Sequence, residues 1–342
     1  MPMEHSPKRE YPVERVIGRG FDDEDYEIAR NFFRERFENQ DFVKDIERAK
    51  TEEEEEIILW VNNETNALLE HYGVRPLDIP SRNVHIISKE RWPKQPGFED
   101  SAALYSFDTQ AIFYCDKPQR PLFAHRVFHE QLHIKFHQAA QYVEEGGTKK
   151  FEEYRSGLSL SSAKREDFVS QFRKLNEAVI ETLAIRFWEE KIAKSERFRK
   201  EIEALARVKQ VLRGERTTIE ENEGVSEEEA EQIIEEICAV TDGENGLKLE
   251  CFSYPCERAA LSHLVSTLYE RNKVIAQDPS QIFDLFVKSA MTGHMVELAK
   301  LIDRTFGTGT FKRLGVISSE KHTKEELLAF VKNMRSEKRN EV

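Results

Sequence analysis

Residues 121–136 read PLFAHRVFHEQLHIKF, and this stretch decides the fold of the chain. Pro121 suits the first turn of a helix, where a missing N–H group costs nothing. An apolar residue then recurs at every fourth position, at Ala124, Phe128, Leu132 and Phe136. Because positions four apart lie on one face of an α-helix, this spacing predicts an amphipathic, half-buried helix.

A second stripe of the same helix carries histidine. His129 and His133 are four residues apart, so a helix directs both imidazoles at one metal ion. Glu130 lies one step round the helix, beside the metal ion rather than on it. A carboxylate in that place can take a proton from a metal-bound water molecule. The segment from His129 to His133 therefore predicts a Zn2+ site with Glu130 as general base.

A catalytic zinc ion needs a third protein ligand and an open position for water. An extended motif with glycine at 136 and histidine at 139 is excluded, because those positions hold Phe136 and Ala139. His125 and His137 lie progressively further round the helix. We interpret these two histidines as partly exposed helix residues, with a supporting or substrate-contacting role as the alternative.

A better third ligand lies in residues 175–181, a helical stretch that contains Glu177 and Glu181. The two acids are four apart and share one helix face. One could bind zinc while the other holds a histidine ring from behind and sets its tautomer. Their neighbours Val179 and Ile180 are apolar, which indicates partial burial, and a buried carboxylate needs a partner. Spacing alone does not show which acid is the ligand. It also does not exclude that both acids are ordinary surface residues.

With these motifs the chain resembles the gluzincin zinc metallopeptidases, the thermolysin-like group, over roughly residues 83–188. Asn176-Glu177-Ala178 followed by Glu181 is similar to the glutamate helix of that group. The resemblance implies that Glu177 is the third zinc ligand and that Glu181 supports the site. A second alignment takes Glu181-Thr182-Leu183-Ala184 as the ligand segment, and it stays open.

The same resemblance implies two further parts of a peptidase. Residues 102–107 and 111–115 read as a hairpin, and the first of these strands would pair with an extended peptide substrate. The oxyanion formed during hydrolysis needs a hydrogen-bond donor, which this group supplies from the later part of the chain. The candidates here are Tyr254, Arg258, His263 and His294. We take Tyr254 as the catalytic candidate, because it directly precedes a predicted helix and could face the cleft.

The remaining pattern predicts a mostly helical α+β chain with a zincin-like fold. Before the zinc helix we expect two helices, at 22–37 and 41–72. A strand at 83–87 and the hairpin follow them and form a small sheet. After Gly146-Gly147 we expect a helical half. One or two long helices lie within 165–213, and another helix ends near residue 240. Further helices are expected at 257–275, 279–292, 294–306 and 324–334. Ser226 with Glu229 and Thr323 with Glu326 form capping boxes. The predicted lobes are 1–160, with the zinc helix, and 161–342, with the third ligand and a cleft wall.

Composition narrows the partners of the chain. A formal net charge of -13 repels phosphate backbones, which disfavours nucleic acid. No apolar run approaches the roughly 20 residues that span a bilayer, and the charged N-terminus lacks the apolar region of a signal peptide. We therefore predict a cytoplasmic protein, without a membrane partner, whose four cysteines are reduced.

The predicted function is zinc-dependent hydrolysis of peptide bonds in a peptide or protein substrate. One alternative is a zincin-like protein that binds zinc in a regulatory, non-proteolytic role. Another is a helical interaction protein whose motif is coincidental and whose histidines lie apart in space. The sequence does not reveal the cleavage preference, endo- or exopeptidase action, or the oligomeric state.

Overall fold

The structure of the protein is a computed structural model. It describes residues 8–18, 22–92, 102–116, 119–145, 148–162, 169–215, 226–243 and 246–334. The described chain is mixed α and β and mostly helical, with three small sheets. Among the described helices, none is long and apolar enough to cross a membrane.

The first helices confirm one prediction and correct another. Helix α1 (Asp23–Glu38) follows the short strand β1 (Val13–Ile17) and matches the predicted helix. The helix predicted for 41–72 is wrong at its start, because α2 spans Glu52–His71. Thr51 and Glu54 form a capping box that begins α2 there.

A three-stranded sheet precedes the zinc-motif helix. Its strands β2 (Val84–Ile87), β3 (Ala103–Ser106) and β4 (Ala111–Cys115) lie in the order β2-β4-β3. Strands β3 and β4 pair antiparallel, so the predicted hairpin is confirmed. β2 runs parallel to β4, which leaves β3 at the edge of this sheet.

The zinc-motif helix, α3 (Arg120–Lys135), runs through the core and contacts α2, β3 and the later helix α4 (Arg173–Phe187). All four residues of the predicted apolar stripe are buried, but so are most of the others, so the helix is central rather than half-buried. Lys135 is itself completely buried. Four oxygen atoms of Asn62, Thr65 and Asn66 on α2 lie 2.7–3.0 Å from its Nζ, and these hydrogen bonds tie α3 to α2.

The prediction of a purely helical second half is wrong at its beginning. Strands β5 (Gln138–Glu145), β6 (Thr148–Ser156), β7 (Ser159–Ser162) and β8 (Val169–Gln171) follow α3. With β1 they form a sheet in the order β1-β5-β6-β7-β8. The strands are rich in Gln, Glu, Lys and Ser, which have low strand propensity, so cross-strand pairing outweighs local preference.

Beyond α4 the chain is helical except for one hairpin. A π-helical turn (Trp188–Ile192) and a 3-10 turn (Glu196–Phe198) join α4 to α5 (Arg199–Gly214). Helix α6 (Glu227–Glu236) has the predicted Ser226 capping box, but it ends four residues before Val240. β9 (Ile237–Gly243) and β10 (Gly246–Cys251) then pair antiparallel, so residues 237–240 form a strand rather than the predicted helix end.

Five helices complete the described chain: α7 (Pro255–Arg271), α8 (Pro279–Thr292), α9 (Val296–Phe306), α10 (Thr310–Ile317) and α11 (Lys324–Asn333). Four of them match predicted helices, and α10 was not predicted. The Thr323 capping box of α11 is confirmed. The largest apolar cluster draws side chains from α2, α3 and α4 as well as from α7 to α11. This shared core fixes α3 against α4. The division into two lobes at residue 160 stays a prediction.

Candidate metal centre

Helices α3 and α4 carry the predicted metal-site residues, and aromatic stacking holds these helices together. The ring of Phe128 on α3 stacks on that of Phe187 on α4, with ring centroids 4.2 Å apart and an interplanar angle of 9°. One turn further along α3, Leu132 is fully buried in the same core. This contact brings the histidine face of α3 against the glutamate face of α4.

Three side-chain atoms meet between these faces. The Nε2 atoms of His129 and His133 are 3.3 Å apart. Glu177 Oε2 lies 3.4 Å from the first of these nitrogens and 3.3 Å from the second. A tetrahedral zinc site with bonds of about 2.0–2.1 Å separates its ligand atoms by about 3.3–3.4 Å. The triangle therefore has the dimensions of a three-ligand zinc site.

The hydrogen bonding of Glu177 also fits a metal ligand. Its Oε2 atom is buried and makes no hydrogen bond within the described part of the chain, where its polar neighbours are the two histidine nitrogens of the triangle. A buried carboxylate oxygen without a donor is costly, and a cation between the three atoms would satisfy it. Within the described residues, His129, His133 and Glu177 are the group of His, Cys, Asp and Glu side chains whose ligand atoms are close enough to hold a metal ion.

Glu181 lies behind the triangle rather than in it. Its Oε2 atom accepts a hydrogen bond of 2.8 Å from His129 Nδ1. Its Oε1 atom accepts from the Ser253 amide at 2.8 Å and from His125 Nε2 at 3.2 Å. A bond from Nδ1–H to Glu181 leaves His129 Nε2 free to bind a metal ion. The geometry thus favours Glu177 over Glu181 as third ligand. His125 is only 3% exposed, so its interpretation as a partly exposed residue is wrong.

The charges of this cluster stabilise one another. Burial opposes ionisation of Glu177, but His133 and His129 outweigh it and hold the pKa of that carboxyl well below its usual range. Glu181 is likewise buried, and His125 and His129 lower its pKa. Burial alone would lower the pKa of His129, yet the carboxylates of Glu177 and Glu181 raise it well above its usual value. In the metal-free protein a proton on His129 therefore supplies positive charge to this cluster.

Glu130 lies beside the triangle and lines the cavity in front of it. Its carboxylate accepts a hydrogen bond from the backbone amide of Tyr105 on the edge strand β3. Burial raises the pKa of Glu130, and the nearby His129 and His133 only partly offset this. A raised pKa brings a carboxylate closer to the neutral range in which a general base works best.

Of the four candidate oxyanion donors, Tyr254 is the one that lies at the metal centre. Its ring stacks on that of His129, with centroids 6.0 Å apart and an interplanar angle of 15°. Its φ of +58° places it in the left-handed region immediately before α7. The carboxylate of Glu177 and burial both raise the pKa of Tyr254, so its hydroxyl keeps its proton.

The other predicted donors lie elsewhere. Arg258 donates to the Ser253 carbonyl and to the Glu236 carboxylate. His294 is exposed, and neither it nor His263 is among the described residues that line the cavity. His137 is partly exposed, as predicted, but it lies beyond the end of α3 rather than on the helix. Its Nδ1 atom is 3.5 Å from Glu14 Oε1, and the residue does not line the cavity.

The cavity has a volume of about 670 Å³, and much of its wall was not predicted. Ala102 and residues 103–105 of the edge strand β3 line it. Charged and hydroxyl side chains from α3, α4, the later sheet and the β9–β10 hairpin also line it: Arg126, Arg173, Glu153, Ser156, Ser159, Ser161, Ser170, Lys248 and Glu250. Gly-Gly between two short runs is a hairpin signal that could have indicated β5 and β6, and with them Glu153.

Gly157 positions α4 against the sheet and gives a testable prediction. It has a φ of +60°, and a Cβ there would lie 2.3 Å from Asn176 Oδ1, which accepts the Leu158 amide at 2.9 Å. Backbone strain and the displaced hydrogen bond are expected to lower the free energy of unfolding of Gly157→Ala by about 2–4 kcal/mol in urea. Gly73→Ala is the control, because Gly73 has a φ of +71° but nothing within 4 Å of a Cβ. Equal losses of unfolding free energy in the two variants would contradict the proposed clash between the added Cβ and Asn176.

The structure brings together six residues chosen from the sequence: His129, Glu130, His133, Glu177, Glu181 and Tyr254. The two histidines share one helix, so their proximity follows from helix geometry; Glu177 reaches them from a separate helix, α4. No family model, curated protein or solved structure matches this chain. Its chemistry must therefore be inferred from the site itself.

Proposed function

We propose that this chain is a zinc-dependent peptidase with a zincin-like fold. The triangle of His129, His133 and Glu177, at the spacing of tetrahedral zinc ligands, carries the proposal. It is supported by a carboxylate, Glu130, that lies next to the triangle and faces an open cavity. Two imidazoles and one carboxylate with room for water are the ligand set of hydrolytic zinc sites.

Bound zinc would supply Lewis acidity and lower the pKa of a water molecule. The residues of the chain would do the rest. Glu130 accepts the proton of the attacking water and returns it to the leaving amine. The Tyr254 hydroxyl donates a hydrogen bond to the carbonyl oxygen as negative charge develops there. Glu181 holds His129 in the tautomer that presents Nε2.

The edge strand β3 would orient the substrate. It pairs with β4 on one side, and residues 102–105 line the cavity. An extended peptide can add to such an edge through main-chain hydrogen bonds. Since the Tyr105 amide already donates to Glu130, this strand also holds the proposed base next to the peptide.

The direct test is metal content together with cleavage. Protein purified without chelators should contain about one zinc ion per chain. It should cleave members of a random peptide library, lose activity when a chelator removes the metal, and regain it with zinc. Protein that binds no added zinc would contradict the proposal. Zinc binding without cleavage of any peptide would favour the regulatory alternative.

Tyr254→Phe tests the oxyanion donor. The variant keeps the ring against His129 and removes only the hydroxyl, so zinc content and KM should change little. We expect kcat to fall by about 10²- to 10³-fold, as for loss of one oxyanion donor. The control is Tyr269→Phe on α7, whose hydroxyl donates to the Gln277 carbonyl and does not line the cavity. Wild-type kcat in Tyr254→Phe would remove this residue from the mechanism.

The raised pKa of His129 predicts how zinc binding depends on pH. Folding strengthens proton binding at this ring, so the resulting stability is fully present below about pH 6.5 and is lost as pH rises through the raised pKa. Zinc can bind Nε2 only after that proton leaves. We expect zinc uptake at pH 7 to release about one proton. We also expect added zinc to raise the melting temperature more at pH 8 than at pH 6.

Calorimetry in buffers of different ionisation enthalpy measures the proton release. Replacing His129 by Ala should abolish it, because that variant loses the titrating ring. Zinc binding that releases no proton, and that stabilises the protein equally at pH 6 and pH 8, would contradict the assignment of His129 as a ligand.

A further inference from the structure

Glu153 is a cavity carboxylate that the proposed mechanism does not use. It lies on β6, opposite Ala140 of β5, and β6 contains a bulge at Tyr154, which has no partner on β5. Regular alternation would turn Glu153 and Ser156 to opposite faces of the strand, yet both line the cavity. A bulge re-aims side chains in this way. It directs the Glu153 carboxylate toward the metal centre.

Glu153 lacks a counter-ion in the described part of the chain. It makes no hydrogen bond or ion pair with the described residues, and burial raises its pKa. The charges of His133 and Arg173 act on it without a direct ion pair and lower its pKa, whereas those of Asp108 and Glu177 add to the effect of burial. Burying a carboxylate without a partner costs free energy. A cationic group that enters the cavity would therefore gain by pairing with it.

The cations that line the same cavity already have acidic partners. Arg173 Nη1 donates to Glu320 Oε1 at 2.8 Å. Arg126 pairs with Glu250 at 3.2 Å, and Lys248 lies 3.3 Å from the same carboxylate. The triangle acids face histidines, and Glu130 accepts the Tyr105 amide. Of the five carboxylates on the described cavity wall, Glu130 and Glu153 form no ion pair with the described residues, and Glu130 is the proposed base, which leaves Glu153 for a cation of the substrate.

The cavity wall that includes Glu153 also carries hydroxyl groups. Four small, buried side chains line it: Ser156, Ser159, Ser161 and Ser170. Ser156 and Ser159 face each other across the β6–β7 pair, and the Ser161 and Ser170 hydroxyls are 3.1 Å apart. Hydroxyl groups solvate a cation without neutralising the carboxylate. Such a wall therefore suits an ammonium or guanidinium group rather than an apolar side chain.

We propose that Glu153 binds a cationic group of the peptide substrate. The group is either the N-terminal ammonium or a Lys or Arg side chain near the cleaved bond, since both present the same chemistry to a carboxylate. This inference rests on the proposed peptidase function and names its substrate class. It makes Glu153 a specificity residue, separate from the metal ligands and from the proton-transferring Glu130.

Matched peptides test the proposal and separate the two sources. One pair has a free or an acetylated N-terminus, and the other has lysine or norleucine near the cleaved bond. In wild type, removing the recognised charge should lower kcat/KM by about 10- to 100-fold. In Glu153→Gln the charged and uncharged members of that pair should be cleaved within about 3-fold of each other. Glu153→Asp, which keeps the charge, should retain part of the preference.

The control is Glu144→Gln, an exposed acid on the neighbouring strand β5, which should keep the wild-type preference. A binding measurement provides a readout without turnover. In a zinc-loaded Glu130→Gln background, the charged peptide should bind about 10-fold more tightly than its neutral partner only when Glu153 is present.

Two results would overturn the inference. One is a wild-type enzyme that cleaves both members of each pair equally. The other is a Glu153→Gln variant with normal zinc content that keeps the full preference. Either leaves the proposed peptidase function intact, because cleavage and metal dependence are measured independently of the preference. Failure of the peptidase function would appear instead as absence of zinc binding or of cleavage in wild type.

Discussion

Glu130→Gln is expected to lower kcat for peptide hydrolysis by about 10²- to 10⁴-fold while leaving about one zinc ion per chain. The amide has nearly the same shape as the carboxylate and can still accept the Tyr105 amide hydrogen bond. It cannot accept a proton from water at neutral pH. Because Glu130 lies outside the ligand triangle, the metal should stay bound.

Kinetics on one library-derived peptide and metal analysis of the same samples would test this prediction. Glu144→Gln carries the same charge change on an exposed strand position and should match wild type in both measurements. Retention of more than a tenth of wild-type kcat would exclude Glu130 as the base. Loss of zinc together with activity would show that Glu130 supports the metal site instead.

Glu177→Ala is expected to weaken zinc binding far more than Glu181→Gln. The first removes a corner of the triangle and leaves two histidines. The second removes one charge behind His129, and loss of such a partner typically costs about 10- to 100-fold in metal affinity. We therefore expect more than about 100-fold loss for Glu177→Ala. Competition for zinc against a chromophoric chelator measures both affinities.

The order of the two effects decides between the two alignments left open by the sequence. If Glu181→Gln lost more affinity than Glu177→Ala, Glu181 would be the ligand. Free energies of unfolding, measured without metal, separate an effect on zinc affinity from an effect on folding. Glu181→Ala leaves His125 and the Ser253 amide without their acceptor, and it should lose about 3–5 kcal/mol even without metal.

The parts of the site that lie on single helices could be predicted from the sequence. The i, i+4 spacing of His129 and His133, and of Glu177 and Glu181, follows from helix geometry alone. The capping boxes that begin with Ser226 and Thr323 are also local signals, and both occur. The predicted hairpin that provides the edge strand depends on residues close together in the chain.

The parts that depend on distant pairing could not be predicted. The hairpin signal at Gly146-Gly147 bears only on β5 and β6, whereas β1 pairs with β5 from more than 100 residues earlier in the chain, and no local pattern indicates that partner. Glu153 reaches the cavity only because of a bulge in β6. From the sequence, Tyr254 is one of four candidates for the oxyanion donor. The β9–β10 hairpin and the start of α7 place its ring on that of His129. In each case a contact between remote segments decides the position of the side chain.

The enclosed amino group of Lys135 has a consequence for chemical labelling. Its nitrogen is completely buried among oxygen atoms of α2, so an acylating reagent cannot reach it in the folded protein. Exposed lysines such as Lys248 and Lys273 would react quickly under the same conditions. Acylation of Lys135 should therefore follow global opening of the molecule. Mass spectrometry of this one residue would then report how often the helix that carries both histidines separates from its neighbour.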